Sequence, residues 1–330
     1  MLCGTGVPHS REGAGGCGGT GKTQLDTSER AWPALPFIGW QDTCATLHMW
    51  TQVVGKIRLA LEPMLNHWWQ VPLYVTATGL TTSPMPYQSR SLQIDFDFCR
   101  HALVVTTSDP QRVEFALAPM PVAEFYERTM QILRDLGFEI SIWTMPVEVA
   151  DAIPFEQDRQ HKSYDADAAQ RFWRVLVQTD RVMKQFRSGF IGKVSPVHFF
   201  WGSFDMAVTR FSGRAAPPHP GGMPNLGDWV AVEAYSHEVS SCGFWPGNGG
   251  FGKAAFYSYA YPAPPGFADA PLRPPQASFD KNLQEFVLDY DAVRLSADPD
   301  AMLLDFFQST YEAAANAAKW DRAALERAPT

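Results

Sequence analysis

Apolar residues recur at helical spacing in four stretches of this chain, and between them short runs alternate apolar with polar positions. Leu47, Trp50, Val54, Ile57 and Leu61 lie on one helical face and predict a helix over 43–61, with Asp42 as its cap. A second helix is expected over 122–136, closed by Gly137. Phe172, Val175, Thr179, Val182 and Phe186 place a third over 167–187 behind Asp167, and a fourth runs over 299–320. The alternating runs predict strands over 73–80, 91–98, 102–107, 113–117 and 139–144, then over 198–211, 229–239, 254–261 and 284–290.

Strands that follow one another without an intervening helix pair antiparallel, which leaves the helices to gather on one face. The expected class is therefore α+β, with mostly antiparallel sheet. The layout is echoed: helix, four strands, helix in 32–150, and the same again in 167–330. Residues 151–166 read as a linker or covering loop. The echo is one of layout and not of letters, and suggests an internal duplication. An acetyltransferase topology can also be drawn over 71–211, but no glycine-rich turn opens the helix at Val122 where coenzyme A would dock.

Residues 1–31 read as a Gly-rich leader. Gly16 to Thr23 spells out GxxxxGK[ST], yet no apolar strand precedes it and no helical face follows. Without the strand–loop–helix context, backbone amides cannot cradle a phosphate, and an NTPase is not expected. With 45% apolar and 19% charged residues among 330, the chain can bury a core. A net charge of −8 and no clustered Lys/Arg argue against nucleic acid as a partner. No apolar run reaches the roughly 20 residues that span a bilayer, and no signal peptide is evident, so no membrane partner is expected. The five cysteines are scattered without a CxxC pair, which fits reduced thiols and a cytoplasmic location.

Several stretches resemble a bacterial family known as a domain of unknown function, family 5996. They are Trp32-Pro33-Ala34-Leu35, Pro72 to Thr76, His198 to Asp205, Glu233 to Glu238, and Gly243 to Gly247. The resemblance spans about 32–320. It implies no activity and no catalytic residues, so the site below rests on the residues themselves.

Residues two apart on a strand share a face, roughly 7 Å from each other. Over 229–239 this puts Glu233, Tyr235 and His237 together, opposite Val230, Val232 and Ala234. The next strand sets Tyr257, Tyr259 and Tyr261 against Phe256, Ser258 and Ala260. In the first half, Gln93, Asp95 and Asp97 share a face. Solvent-facing strands ordinarily carry Lys and Glu, whereas Tyr and His favour a half-covered cavity. Loops 213–227 and 240–252 are placed to cover it, with Trp245 supplying apolar cover.

The expected site is a small-molecule pocket on this polar face. His237 would be the general acid or base, Glu233 or Glu238 its orienting carboxylate, and Tyr235 the stabiliser of developing charge. His198, Trp201, Asp205, Arg210, Tyr257, Tyr259 and Trp245 would contact the ligand, with a bulge at Gly202 bringing His198 and Asp205 to one face. Arg210 would hold an anionic group. No HExxH or two-His-one-carboxylate spacing occurs, so no metal is assigned, and no cofactor is identified. Cys242 is read as a buried inert thiol. A hydrolase or transferase would use such a site. A non-catalytic small-ligand binder would use the same cavity, and a protein-interaction module would present the Tyr/Trp face to a partner.

Overall fold

The computed structural model describes residues 31–328. The first long helix, α1 (Gln41–Leu61), is buried on all sides through most of its length. Six strands follow: β1 (Tyr74–Val75), β2 (Gly79–Thr81), β3 (Met85–Tyr87), β4 (Arg90–Asp97), β5 (Ala102–Thr107) and β6 (Arg112–Ala116). They form an antiparallel sheet in the order β1-β2-β4-β5-β6, with β3 also on β4. Along β4, Leu92, Ile94 and Phe96 are buried while Gln93, Asp95 and Asp97 are half-exposed, so alternation decides which face meets the helices. Helix α2 (Val122–Asp135) closes this half.

The second half opens with α3 (Ala166–Ser188), whose first turn is capped by Asp165, accepting from the Ala168 amide at 3.0 Å. The antiparallel sheet after it runs β11-β12-β10-β9-β8-β7, built from β7 (His198–Phe200), β8 (Asp205–Ala215), β9 (His237–Trp245), β10 (Ala255–Tyr261), β11 (Ser278–Asp280) and β12 (Glu285–Asp289). A short helix α4 (Asp228–Ala234) lies between β8 and β9. The half ends with α5 (Tyr290–Arg294), α6 (Pro299–Ala317) and α7 (Arg322–Leu325). Leu73 and Phe199 exchange both backbone hydrogen bonds at 2.9 Å, joining the two sheets at the edges where β1 and β7 begin. One apolar core runs through both halves, with Phe172 packed between Trp40, Phe199 and Phe204.

The fold is α+β, as the succession of strands predicts, but each sheet has six strands. Residues 139–144 join no ladder, and 73–80 divides into β1 and β2 around a turn where Thr76 Oγ1 accepts from the Gly79 amide. The expected strand over 198–211 is the β7–β8 hairpin. The expected strand over 229–239 is mostly α4, and β9 begins only at His237. Asp42 lies in the first turn of α1 and Asp167 in that of α3, so neither is the cap. The leader and its GxxxxGK[ST] segment lie outside the described residues.

Candidate functional site

A cavity of about 460 Å³ opens on the face of the second sheet turned away from α3 and α6. Its floor is set by strand register. Ala207, Gly243 and Tyr257 stand side by side across β8, β9 and β10, as do Thr209, Ser241 and Tyr259. Partners in antiparallel strands point to the same face, so these two rows and Asp205 form one surface. Helix α4 and the chain before it cover the floor, bringing Met223, Leu226 and Trp229 over it.

Gly243 shapes the floor. A Cβ there would overlap the Tyr257 ring and the Met206 carbonyl. With only hydrogen at that position, Tyr257 lies flat across β9 and its hydroxyl donates to Asp205 on β8. Tyr259 stacks beside it, rings 6.2 Å apart, and shares a 2.8 Å hydrogen bond with Tyr235 from the end of α4. Two more glycines act alike. Gly55 on α1 leaves room for the Trp201 indole, and Gly202 in the β7–β8 turn leaves room for the Glu148 carboxylate. Ser203 donates to that carboxylate. Glu148 adopts φ 60, and its amide donates to the Pro224 carbonyl at 2.8 Å, tying the loop at 145–149 to the cover.

The surrounding loops are pinned from α1. Gln52 makes a paired contact with the Val147 backbone at 2.8 and 2.9 Å. His48 Nε2 donates to the Gly202 carbonyl at 2.8 Å. Arg58 Nε donates to the Gln70 carbonyl at 2.7 Å, fixing the turn that carries His67, Trp68 and Trp69. His67 in turn accepts from Lys193 at 2.6 Å and donates to the Ala234 carbonyl at 3.0 Å, and its amide donates to Glu233 at 3.1 Å, which holds α4 in place.

The electrostatics follow from burial. Asp205 is 9% exposed and its carboxyl is pushed up to about 7, chiefly by desolvation, with the nearby Glu148 charge adding to the rise. Glu148 is raised by burial, opposed by the Ser203 hydrogen bond. Glu285, beside them on β12, is raised to about 7 by burial and by Asp205. Tyr235 is pushed up to about 12 by burial, and Tyr257 and Tyr259 well above their ordinary range. The floor is therefore a set of protonated or half-protonated oxygen groups able to donate and accept hydrogen bonds and to exchange protons near neutral pH.

The structure brings Trp201, Asp205, Tyr235, Tyr257 and Tyr259 to the cavity. Others proposed for it lie elsewhere. Glu233 serves the His67 amide, and Glu238 pairs with Arg214 at 2.6 Å. His237 stands edge-on to His67 at 5.6 Å and bonds its neighbour Ser236. The strand-face argument for Glu233 and His237 fails because α4 replaces the strand. His198 does share the face of Asp205, through the hairpin turn and not through a bulge. Its ring is wedged behind the wall between Trp69, Tyr74 and Phe200, and burial holds it neutral, lowered to about 3. Arg210 points to the opposite face. There its guanidinium lies 3.5 Å from the Phe186 ring centre, donates to the Phe186 carbonyl, and cannot reach a ligand. Trp245 stacks on Phe251 at 5.0 Å, and the loop after β9 contributes Asn248, which donates to the Ser203 carbonyl at 3.2 Å. Cys242 is buried, and desolvation raises its thiol further from ionisation. Among the described residues, no three His, Cys, Asp or Glu are grouped to hold a metal ion, and no helix is long and apolar enough to cross a membrane.

Sequence reasoning missed Glu148, Lys56 and the Trp68–Trp69 turn. For Lys56 a signal existed: His48, Gln52 and Lys56 recur at i, i+4 and i+8 along one stripe of a largely buried helix. Glu148 stands in irregular chain beside Pro146 and offers no period to read.

The fold and site thus define a two-sheet α+β protein with an aromatic-walled cavity over buried carboxyls. Residues 32–327 match the model of the Family of unknown function (DUF5996), and the chain belongs to that family. This is the family that the segments from Trp32 to Gly247 resemble. No curated protein and no solved structure matched the chain.

Proposed function

We propose that the cavity binds a small organic molecule, its flat apolar body among the tryptophans and its polar head on Asp205, Glu148, Tyr235 and Tyr259. The observation that carries this reading is Asp205. Its Oδ2 accepts from Tyr257, the side chain is 9% exposed, and it lines the cavity. A desolvated carboxyl facing an aromatic-walled cavity gains from a polar partner delivered there. The volume falls within the roughly 300–1,000 Å³ of small-molecule sites.

A second reading is a hydrolase or transferase acting on that molecule. It is favoured by Asp205, pushed up to about 7, where a carboxyl can serve as acid or base at neutral pH. The catalytic carboxyl is then Asp205 with Tyr257 as its orienting partner, in place of the His237 arrangement. Protein interaction is less favoured, because the floor tyrosines turn into the cavity. Free Cys44 and Cys242 support a cytoplasmic location. The like layout of the two halves, each a long helix followed by an antiparallel sheet of six strands and a closing helix, supports an ancestral duplication.

The test titrates small aromatic compounds with different head groups, following the emission of the tryptophans around the cavity. Saturable binding is expected for some head groups, weakened about 10-fold or more in Asp205→Asn, the worth of one hydrogen bond to a charged group. Absence of saturation for every head group overturns the reading.

A further inference from the structure

Helix α1 is buried all round, so each of its polar side chains needs a partner. Nearly all have one. Thr46 and Thr51 donate back to their own helix, Thr43 accepts from the Asp165 amide, and His48, Gln52 and Arg58 hold the three loops described above. Trp50 Nε1 has none, and neither does Lys56. It is 4% exposed, lines the cavity, and has no hydrogen bond or ion pair among the described residues. Its Nζ lies only over the Trp143 ring, 4.7 Å from the centre. A lysine placed for charge alone has no reason to be buried beneath an aromatic wall with its amine open to an organic-sized space.

Building on the ligand-binding reading above, we infer that the cavity takes an aldehyde or ketone, which the Lys56 amine binds as an imine. The Nζ lone pair forms a bond to the carbonyl carbon. The carbonyl oxygen leaves as water, carrying away the two protons that Nζ gives up. Glu148 and Asp205 line the same cavity. Burial lowers Lys56 to about 8, so it holds far more free amine at neutral pH than a surface lysine.

The test incubates the whole protein with benzaldehyde and cyanoborohydride at neutral pH, then measures intact mass and maps peptides. Apart from any free α-amine, which titrates in the same range, the expected result is one benzyl group, on Lys56, at a rate on the order of 100-fold above an ordinary lysine amine. Lys56→Arg keeps the charge over Trp143 and should lose the label; mapping of the wild-type protein locates it without any variant. Labelling spread over the lysines without preference for Lys56 overturns the inference. Benzyl alcohol, which cannot form an imine, reports the cavity separately through tryptophan emission. Binding of the alcohol without Lys56 labelling overturns the lysine chemistry and keeps the cavity, whereas loss of both overturns both.

Discussion

Replacing Asp205 by asparagine should make the protein more stable, by a margin that opens above pH 4 and levels off above pH 7. In the folded chain burial raises this carboxyl from its ordinary 3.8 to about 7. The folded state therefore holds the proton more tightly than the unfolded one, and unfolding releases it between those values. Stability from this group is fully present below pH 4 and is lost as pH rises through 7. Three units at 1.36 kcal/mol each amount to about 4 kcal/mol lost above pH 8. Asparagine has no proton to lose, and its carbonyl can still accept from Tyr257. At pH 8 the variant should gain up to about 4 kcal/mol, or about 6 °C in Tm for a chain of this size. At pH 4 the two proteins should be close. Calorimetry of both proteins from pH 4 to 9 reads the difference, which separates Asp205 from the buried histidines that titrate in both. A variant that is less stable at pH 8, or a difference that does not change with pH, would refute the claim that the floor carries an uncompensated carboxyl. Confirmation would mean that the fold bears this residue at a cost in stability, as sites kept for function do.

Gly243→Ala should drive a methyl into the Tyr257 ring and the Met206 carbonyl, costing about 1–3 kcal/mol in urea unfolding, with Tyr257 displaced from Asp205. Gln52→Ala leaves the Val147 amide and carbonyl unpaired and should cost about 1–3 kcal/mol per buried group, while raising hydrogen exchange in the loop at 145–149. His48 and His198 are lowered by burial to about 4 and about 3, so the stability they contribute is present above pH 6.5 and is lost as pH falls toward those values. His198→Phe should flatten the acid limb of the stability profile, and an unchanged limb would remove His198 from the account.

Much of the fold was legible because local pattern and tertiary burial agree. Ladder β4–β5–β6 lies within a residue of the alternating runs, since one face of that sheet is buried and the other wet. Helix α4 was not legible: Trp229-Val230-Ala231-Val232-Glu233-Ala234 is a short apolar run with two valines that reads as a buried strand, and seven residues are too few for a helical period to show. The misreading carried Glu233 and His237 into the site together. Tyr257 and Tyr259 survived because parity on a true strand decides their face, whereas Asp205 reaches the floor through the β7–β8 hairpin and not through the bulge expected at Gly202. Glu148 and the Trp68–Trp69 turn depend on which irregular loops α1 pins, and that is set by contacts far apart in sequence. Lys56 was readable in principle from the polar row it shares with His48 and Gln52.

The central claim is that the cavity above Asp205 is a small-molecule site, and native mass spectrometry tests it most directly. Gently purified protein would be measured as isolated and after exposure to a metabolite extract, beside Asp205→Asn. The account predicts one organic molecule per chain, retained or taken up by the wild-type protein and largely lost from the variant. A clean ligand-free mass for the wild type under both conditions would contradict it.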